Sequence, residues 1–401
     1  MYTSMMRKAM LGDTATLNLD FSAGTLPTAV TFTRADSTAR ATFIDASGYV
    51  KTVTAAGDPR FDYTGGVAKG LLIEASATNL TTYSQNIENA AWDKNASVGS
   101  TNADVTTVSA ATPANGTTVN QIVFNRIVGG FSRVTRSSTG TASTPYTMSV
   151  WMRTVSGTAN VGLRIGSDSA GFKCAVTTTW QRFQYTYTLS GTSSDAQIML
   201  WENIVGTDLT ATVYAWGCQV EAGSSASSYI PTAASALTRL ADDAVIRSTA
   251  WTSLYAQPGA MVVEFYRGAY GAGDRSIRST DPTAARHWHL KNANASATAQ
   301  IAFSTGSPVT QTGLTAGLNK VAIAWNAPTP TASFDLCVNG ASPTFGGSNV
   351  GTTLSTWLTL GSQSTTGVSG TGVWDGYLNN SIKSVKYYTG LTYAEMQAKT
   401  T

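Results

Sequence analysis

The stretch YAWGCQVEAGSSASSYIPT, residues 214–232, decides how this chain is read. Its first half alternates. Tyr214, Trp216, Cys218 and Val220 fall on one side, and Ala215, Gly217, Gln219 and Glu221 on the other. Period-two alternation marks a strand with one packed face. The second half is small and polar and finishes in Tyr229-Ile230-Pro231. This predicts a strand that ends a sandwich, followed by a Gly/Ser stretch that crosses its edge. Tyr229, Ile230 and Pro231 would pin that stretch back down, with Pro231 blocking further strand pairing.

The same alternation recurs on both sides of this stretch. TPYTMSVWMRT places Tyr146, Met148, Val150 and Met152 on one face and Thr147, Ser149, Trp151 and Arg153 on the other. NVGLRIG buries Val161, Leu163 and Ile165 and turns Arg164 outward, and WQRFQYTYTLS gathers Phe183, Tyr185, Tyr187 and Leu189. Upstream, TLNLDFSAG alternates Leu17, Leu19 and Phe21, and ATFIDASGYVKTV reads as a hairpin turning at Asp45-Ala46-Ser47-Gly48. Downstream, Met261, Val263 and Phe265, then Val321, Ile323 and Trp325, then Phe334, Leu336 and Val338 each mark an inward face. Asn339-Gly340 reads as a hairpin turn. LTYAEMQAKT is the exception: Thr392 as N-cap, Glu395 completing a capping box, and Leu391 with Met396 as a staple predict one short helix.

These patterns predict an all-β chain: two antiparallel β-sandwich domains in tandem, jelly-roll or lectin-like, with a short N-terminal arm and one short C-terminal helix. The expected boundaries are an arm at 1–16, a β-hairpin lead-in at 17–75, one sandwich at 76–245 and a second at 246–401. RLADDAVI, residues 239–246, reads as a charged connector. No fixed-period repeat supports a solenoid.

Composition narrows the function classes. Charged residues make up 12% of the 401 and the net charge is +3, with no basic block, so nucleic acid is not an expected partner. Cys174, Cys218 and Cys337 are an odd set at wide spacing, without disulfide or zinc spacing. MYTSMMRKAML lacks a signal peptide's apolar core, and no run approaches the ~18 apolar residues of a membrane span. The expectation is synthesis in the cytoplasm, confinement there until export or lysis, and no membrane partner.

Motifs for catalysis are absent. There is no G-x-S-x-G elbow, no Walker loop and no G-x-G-x-x-G in a strand-turn-helix context. His287 and His289 flank Trp288 and share a strand face, but no third ligand accompanies them, so no metal site is assigned. The acids Asp45, Asp58, Asp62, Asp242, Asp243 and Asp281 read as turn and cap residues. No catalytic residue is assigned, and the expectation is a protein that is not an enzyme.

Binding is better supported. Sugars stack their C–H face on aromatic rings while amides, carboxylates and guanidinium groups take their hydroxyls. Among ten tryptophans, parity places Trp216 and Trp325 in the core. Trp151 sits on the polar face with Arg153, and Trp201 shares a face with Gln197, Asn203 and Met199. Trp151, Arg153, Arg164 and Trp201 are therefore the glycan-binding candidates, lining one cleft if the outer face is concave. The alternative for Trp151 is cover by a neighbouring loop or subunit.

GLLIEASATNLTTYSQNIENAAWDKNAS, residues 70–97, resembles a segment of bacteriophage tail-fibre and head-fibre proteins. The likeness is carried by Gly70 to Glu74, Thr78 to Leu80, Tyr83-Ser84 and Ala91-Trp92, with RATFIDASGYVKT and PRFDY as lead-in. WQRFQYTYT and residues 214–232 resemble the closing strands of that family's carbohydrate-binding-module-like jelly roll. The C-terminal part, with VNG, LGS and LTYAEMQ, is similar to concanavalin/laminin-G-like lectin domains. The resemblance implies a fibre or spike subunit at the virion surface, a homo-oligomer and as a fibre a trimer. It would contact other virion proteins through the N-terminal arm and bind host-surface polysaccharide. It implies no cofactor beyond a structural calcium ion that some such modules hold, here without assigned ligands. The rival readings are a tailspike-like polysaccharide depolymerase and a head-decoration protein without ligand.

Overall fold

In the computed structural model, the described residues are 15–167, 169–247, 258–267, 277–280, 288–292, 297–303, 306–325, 333–349, 357–360 and 380–401. The expected N-terminal arm therefore lies almost wholly outside them, as does His287. Among the described residues the secondary structure is nearly all strand, and every paired strand is antiparallel. Two β-sandwich units account for it, as the alternation predicts.

The unit that holds the opening stretch is formed by residues 35–56 and 76–240. One of its five-stranded sheets runs in the order Gln181–Thr188, Pro145–Thr154, Thr210–Ala222, Thr118–Asn125, Thr101–Ser109. The other runs Phe172–Val176, Ala159–Ile165, Ala196–Trp201, Phe131–Arg136, Asp93–Ala96. Tyr146, Met148, Val150, Met152, Val161, Leu163 and Ile165 meet between the sheets, with Phe183, Tyr185 and Tyr187 packed at the margin. These are the side chains that alternation turned inward.

One expectation fails inside the opening stretch, for a definite reason. Ala211, Val213 and Ala215 join the core with Cys218 and Val220, whereas Tyr214 and Trp216 lie on the other face. Between Ser149 and Trp151 the register with Thr210–Ala222 shifts: Ser149 faces Gln219, but Trp151 faces Trp216. One extra residue is accommodated at Gly217, whose φ is +66°. This is a β-bulge with glycine in the left-handed region. It reverses which side chains point inward, so Trp216 is buried in a different layer from the one parity assigned.

That layer covers the sheet's outer face. Trp151, Trp216 and Tyr229 are each buried and form an aromatic cluster with centroids 4.9–5.7 Å apart. Tyr229 and Ile230 are buried as expected of a pinned segment. The pinning is also polar. Glu221 accepts from the Ser227 N–H at 2.7 Å and the Ser227 hydroxyl at 2.6 Å, and Gln219 Oε1 accepts from the Ile230 N–H at 2.8 Å. Asn79 bridges strand and strap, donating to the Cys218 and Ile230 carbonyls and accepting from the Val220 N–H. The hairpin Thr42–Ile44 and Val50–Thr52 turns at Asp45, whose Oδ1 accepts from the N–H groups of Ser47 and Tyr49. Thr42 then donates to the Tyr229 carbonyl.

The second unit is formed by residues 1–34, 57–75 and 241–401. One of its sheets includes Gly259–Arg267, Gly317–Trp325, Ser333–Val338 and Asn380–Tyr388. The other includes Thr31–Arg34, Asp242–Arg247, Trp357–Leu360 and Thr298–Phe303. Met261, Val263, Val321, Ile323, Trp325, Phe334, Leu336 and Val338 enclose the core with Ala244, Ile246, Leu358 and Ile301. The helix is Tyr393–Thr400, with Thr392 as N-cap and both hydrogen bonds of the capping box formed. Met396 and Leu391 pack in one cluster. The Asn339-Gly340 turn has both φ values positive and closes through Ala341 N–H to the Val338 carbonyl.

The strand grouping corrects the expected boundaries. Residues 17–75 do not form a separate lead-in. Leu17–Asp20 and Val67–Ile73 pair with Asn380–Tyr388, and Thr31–Arg34 pairs with Asp242–Arg247. Nor is 239–246 a solvated connector. Asp242 is fully buried, 3.0 Å from Arg34 and 2.5 Å from Arg60, and Arg60 reaches Glu74 at 2.6 Å. Burial penalises the Arg60 charge, yet Asp242 and Glu74 outweigh it and raise its pKa. A sequence window of ten residues cannot show a network whose members are up to 208 positions apart.

Candidate functional site

The two sheets of the unit formed by residues 35–56 and 76–240 present two outer faces, and the four candidate residues divide between them. Trp151 and Arg153 lie on Pro145–Thr154; Arg164 and Trp201 lie on strands of the opposite sheet. They do not line one cleft.

On the first face Trp151 is 7% exposed, enclosed by Trp216 and Tyr229, with the Arg182 guanidinium 4.5 Å from its ring centre. Loop cover is what the structure has, and a sugar cannot stack on this ring. Arg153 is half-buried, 4.7 Å from the Tyr214 ring centre and 5.4 Å from that of Trp180. Trp180 is tied down by its indole N–H to the Ala111 carbonyl.

On the second face the register builds an ordered array. Arg164 stands opposite Gln197, which stands opposite Thr135. In the next row Gly162 stands opposite Met199, Met199 opposite Arg133, and Arg133 opposite Asn95. Trp201 stands opposite Phe131. Because side chains alternate along each strand, these share the sheet's outer side, where Gln197, Met199 and Thr135 are themselves covered, while Leu163, Ile198, Leu200 and Val134 turn inward.

The array is linked by hydrogen bonds. Arg133 Nε donates to Asn95 Oδ1 at 2.6 Å and its Nη1 to Gln197 Oε1 at 3.1 Å. Gln197 Nε2 donates to the Gly166 carbonyl at 2.7 Å, and Arg164 Nε to the Ser169 carbonyl at 2.9 Å. The Arg164 guanidinium lies 5.0 Å from the Trp201 ring centre, and that of Arg133 lies 4.8 Å from Phe131. Trp201, Arg164, Arg133 and Asn95 are half-exposed, so ring and donors remain within reach of solvent. A one-turn helix, Glu202–Val205, follows Trp201 directly. Its Ile204 fills the space beside Gly162 and Gly171, where a Cβ would come within 3.0 Å and 2.3 Å of it. Sequence reading found Arg164 and Trp201 here, with Gln197 on the Trp201 face, and missed Arg133 and Asn95, because their meeting depends on strand order across the sheet. FSRVTR alternates and carried the signal: Val134 inward puts Arg133 outward.

Among the described residues no three of His, Cys, Asp and Glu gather to hold a metal, so the calcium implied by the resemblance gains no ligand set there. Asp242 and Glu74 share Arg60, but both are buried and ion-paired, so neither is placed to exchange a proton with a bound polymer.

Among solved structures, the chain aligns with a family 11 carbohydrate-binding module from Clostridium thermocellum, in complex with a beta-1,3-1,4-mixed-linked tetrasaccharide. The TM-score is 0.26 and the identity 10%, over 40% of this chain and 98% of that one. It aligns with the CBM22-1 xylan-binding domain of Paenibacillus barcinonensis Xyn10C at TM-score 0.24 and 16% identity, over 37% of this chain and 94% of that one. The tandem CBM22-1-CBM22-2 domain of the same protein aligns at TM-score 0.26 and 10% identity, over 79% of this chain and 99% of that one. Likeness at this level does not bear on the ligand. No protein-family model and no curated protein matches the sequence.

Proposed function

We propose that this chain is a non-catalytic glycan-binding protein whose binding face is the outer surface around Trp201. The observation that carries the reading is the Trp201–Arg164 pair joined to the Gln197–Arg133–Asn95 array on one half-exposed sheet face. An indole for the sugar's C–H face and fixed guanidinium and amide groups for its hydroxyls are the two elements such recognition needs. Flat faces of this kind bind weakly one at a time, and several copies engaged together multiply the effect.

The resemblance of residues 70–97 to phage-fibre sequences is the support for setting that activity on a bacteriophage particle. The chain then serves as a fibre or spike subunit at the virion surface, made in the host cytoplasm and homo-oligomeric, with a trimer as the expected state. The N-terminal arm joins it to other virion proteins.

Binding of the intact protein to a glycan array, with wild type and Trp201→Ala in parallel, tests the reading. The expected result is a set of glycans bound by wild type and lost in the variant, with unchanged thermal unfolding. Equal binding by both proteins would remove this face from the proposal. Loss of polysaccharide viscosity on incubation would replace adhesion by depolymerase activity.

A further inference from the structure

We infer that the second unit carries a ligand site of its own, for an organic cation: an alkylammonium group held against Phe345 and Tyr393 with the Asp335 carboxylate as its counter-ion. The site involves none of the residues around Trp201 and stands apart from the glycan reading.

Strand register and one helix bring the three side chains together. Along Ser333–Val338, Phe334 and Leu336 enter the core, so Asp335 points out of the sheet. It stands opposite Ala324 on Gly317–Trp325 and opposite Phe345 on Thr344–Asn349. The helix Tyr393–Thr400 packs on the same outer face, where Met396 meets Cys337 and Val262. Its first residue, Tyr393, sets its ring 4.7 Å from that of Phe345, at an interplanar angle of 67°. On the other flank Ala324 has no side chain long enough to cover the carboxylate.

Two features of this corner call for a partner. The first is apolar. Phe345 is 56% exposed and Tyr393 51%, so two touching rings both face water. The second is electrostatic. Asp335 is half-buried, and burial raises its pKa; among the described residues the group that favours its ion is the Tyr393 hydroxyl, and no arginine, lysine or histidine acts on it. The Asp335 charge in turn raises the Tyr393 phenol.

One ligand chemistry answers both. A cation within about 6 Å of a ring centre is attracted by the ring quadrupole, and the methyl or methylene groups of an alkylammonium cover apolar surface as well. The carboxylate beside the rings supplies the opposite charge. A neutral sugar can stack on a ring, yet it leaves the half-buried charge without a counter-ion. A metal ion needs several oxygen ligands, and among the described residues no three acids, cysteines or histidines gather there. The same face already holds one contact of this kind: Lys399 Nζ lies 4.4 Å from the Tyr388 ring centre.

The experiment uses the full chain and two small probes of equal shape: choline, and the uncharged alcohol in which carbon replaces the choline nitrogen. Calorimetric titration is run on wild type, Asp335→Asn, Phe345→Thr and Tyr393→Ala. A glucosamine tetramer and its N-acetylated form serve as further arms. The expected result is that wild type binds choline about tenfold more tightly than the alcohol. Asp335→Asn should abolish that difference, and each aromatic replacement should weaken choline binding.

Equal affinity for choline and the alcohol would overturn the cation assignment. A preference for choline that survives in Asp335→Asn would overturn the role of the carboxylate. Equal binding of the two sugar tetramers, with no choline bound, would make this a neutral-sugar site and overturn the proposal. Tighter binding of the glucosamine tetramer than of choline, dependent on Asp335, would uphold it and set the ammonium on a sugar. No binding of any probe would overturn the site. Thermal unfolding of each variant is measured alongside, and the isosteric Asp335→Asn keeps the test decisive if Tyr393→Ala disturbs the helix.

Discussion

Replacing Gly217 by alanine tests the feature that sets which side chains of the closing strand point inward. Gly217 has φ +66°, a region that costs an L-residue with a Cβ about 1–2 kcal/mol. The added Cβ would also stand 3.1 and 3.3 Å from two carbons of the Trp151 ring and 3.4 Å from Tyr229. Comfortable carbon contacts lie at about 3.5–4.0 Å, and crowding a filled site costs about 1–3 kcal/mol. The aromatic cluster can yield a few tenths of an ångström, so the lower part of that range applies and the sum is about 2–4 kcal/mol. For a unit of this size that is a fall in Tm of roughly 5–15 °C. Thermal unfolding of the full chain, followed by near-UV circular dichroism, reads both the shift and the disturbance of the Trp151–Trp216–Tyr229 cluster. Gly191→Ala is the control, since nothing lies within 4 Å of its added Cβ and its φ is not positive; it should change stability by less than about 1 kcal/mol. If Gly217→Ala melts with wild type, the bulge does not depend on glycine and the account of the strand is wrong.

Three further outcomes follow from the buried polar groups and thiols. Burial raises the Glu221 carboxyl above its ordinary 4.5, against hydrogen bonds from Ser227 and Gln219 that favour the ion. Because the folded pKa lies above the unfolded one, its contribution is fully present below about 4.5 and is lost as pH rises through the folded value. Glu221→Gln, which can keep the Ser227 and Gln219 contacts, should therefore be at least as stable as wild type at neutral pH and remove that part of the pH dependence in urea melts. A wild-type slope in the variant would rule Glu221 out as its source. Asp242→Ala should cost about 3–5 kcal/mol in chemical denaturation, because it leaves Arg34 and Arg60 buried without the carboxylate they share. A loss under 1 kcal/mol would mean the network is dispensable. Cys174, Cys218 and Cys337 are free and buried, and burial pushes the first two thiols up to about 12. A thiol reagent should find none of the three in the native protein and all three in denaturant. Rapid labelling of the native protein would contradict their burial.

Much of the fold was legible because a strand's side chains alternate whatever its partner is. Tyr146 to Met152, Val161 to Ile165 and Phe334 to Val338 could be assigned to a core before any sheet was known. The capping box at Thr392 and Glu395 and the Asn339-Gly340 turn were legible for a related reason: each is closed by atoms within a few residues. The candidate site was half legible. Outward parity found Arg164 and Trp201, but it grouped them with Trp151 and Arg153, which the sandwich places on the opposite outer face.

What the sequence determined by itself was local: which residues extend, where they turn, and which side of each strand is apolar. The tertiary structure alone decided three things. It fixed which outer face is covered, since Glu221, Gln219 and Asn79 fasten the 223–232 strap over Trp151 and leave the Trp201 face half-exposed. It fixed the partners of Leu17–Asp20, Thr31–Arg34 and Val67–Ile73, which pair with segments far downstream. It also decided that a single glycine at 217 would shift the register, because an inserted bulge residue changes parity only relative to a neighbouring strand. Alternation is a property of one chain segment, whereas cover, pairing and register belong to pairs of segments, and their energies exist only once those segments meet.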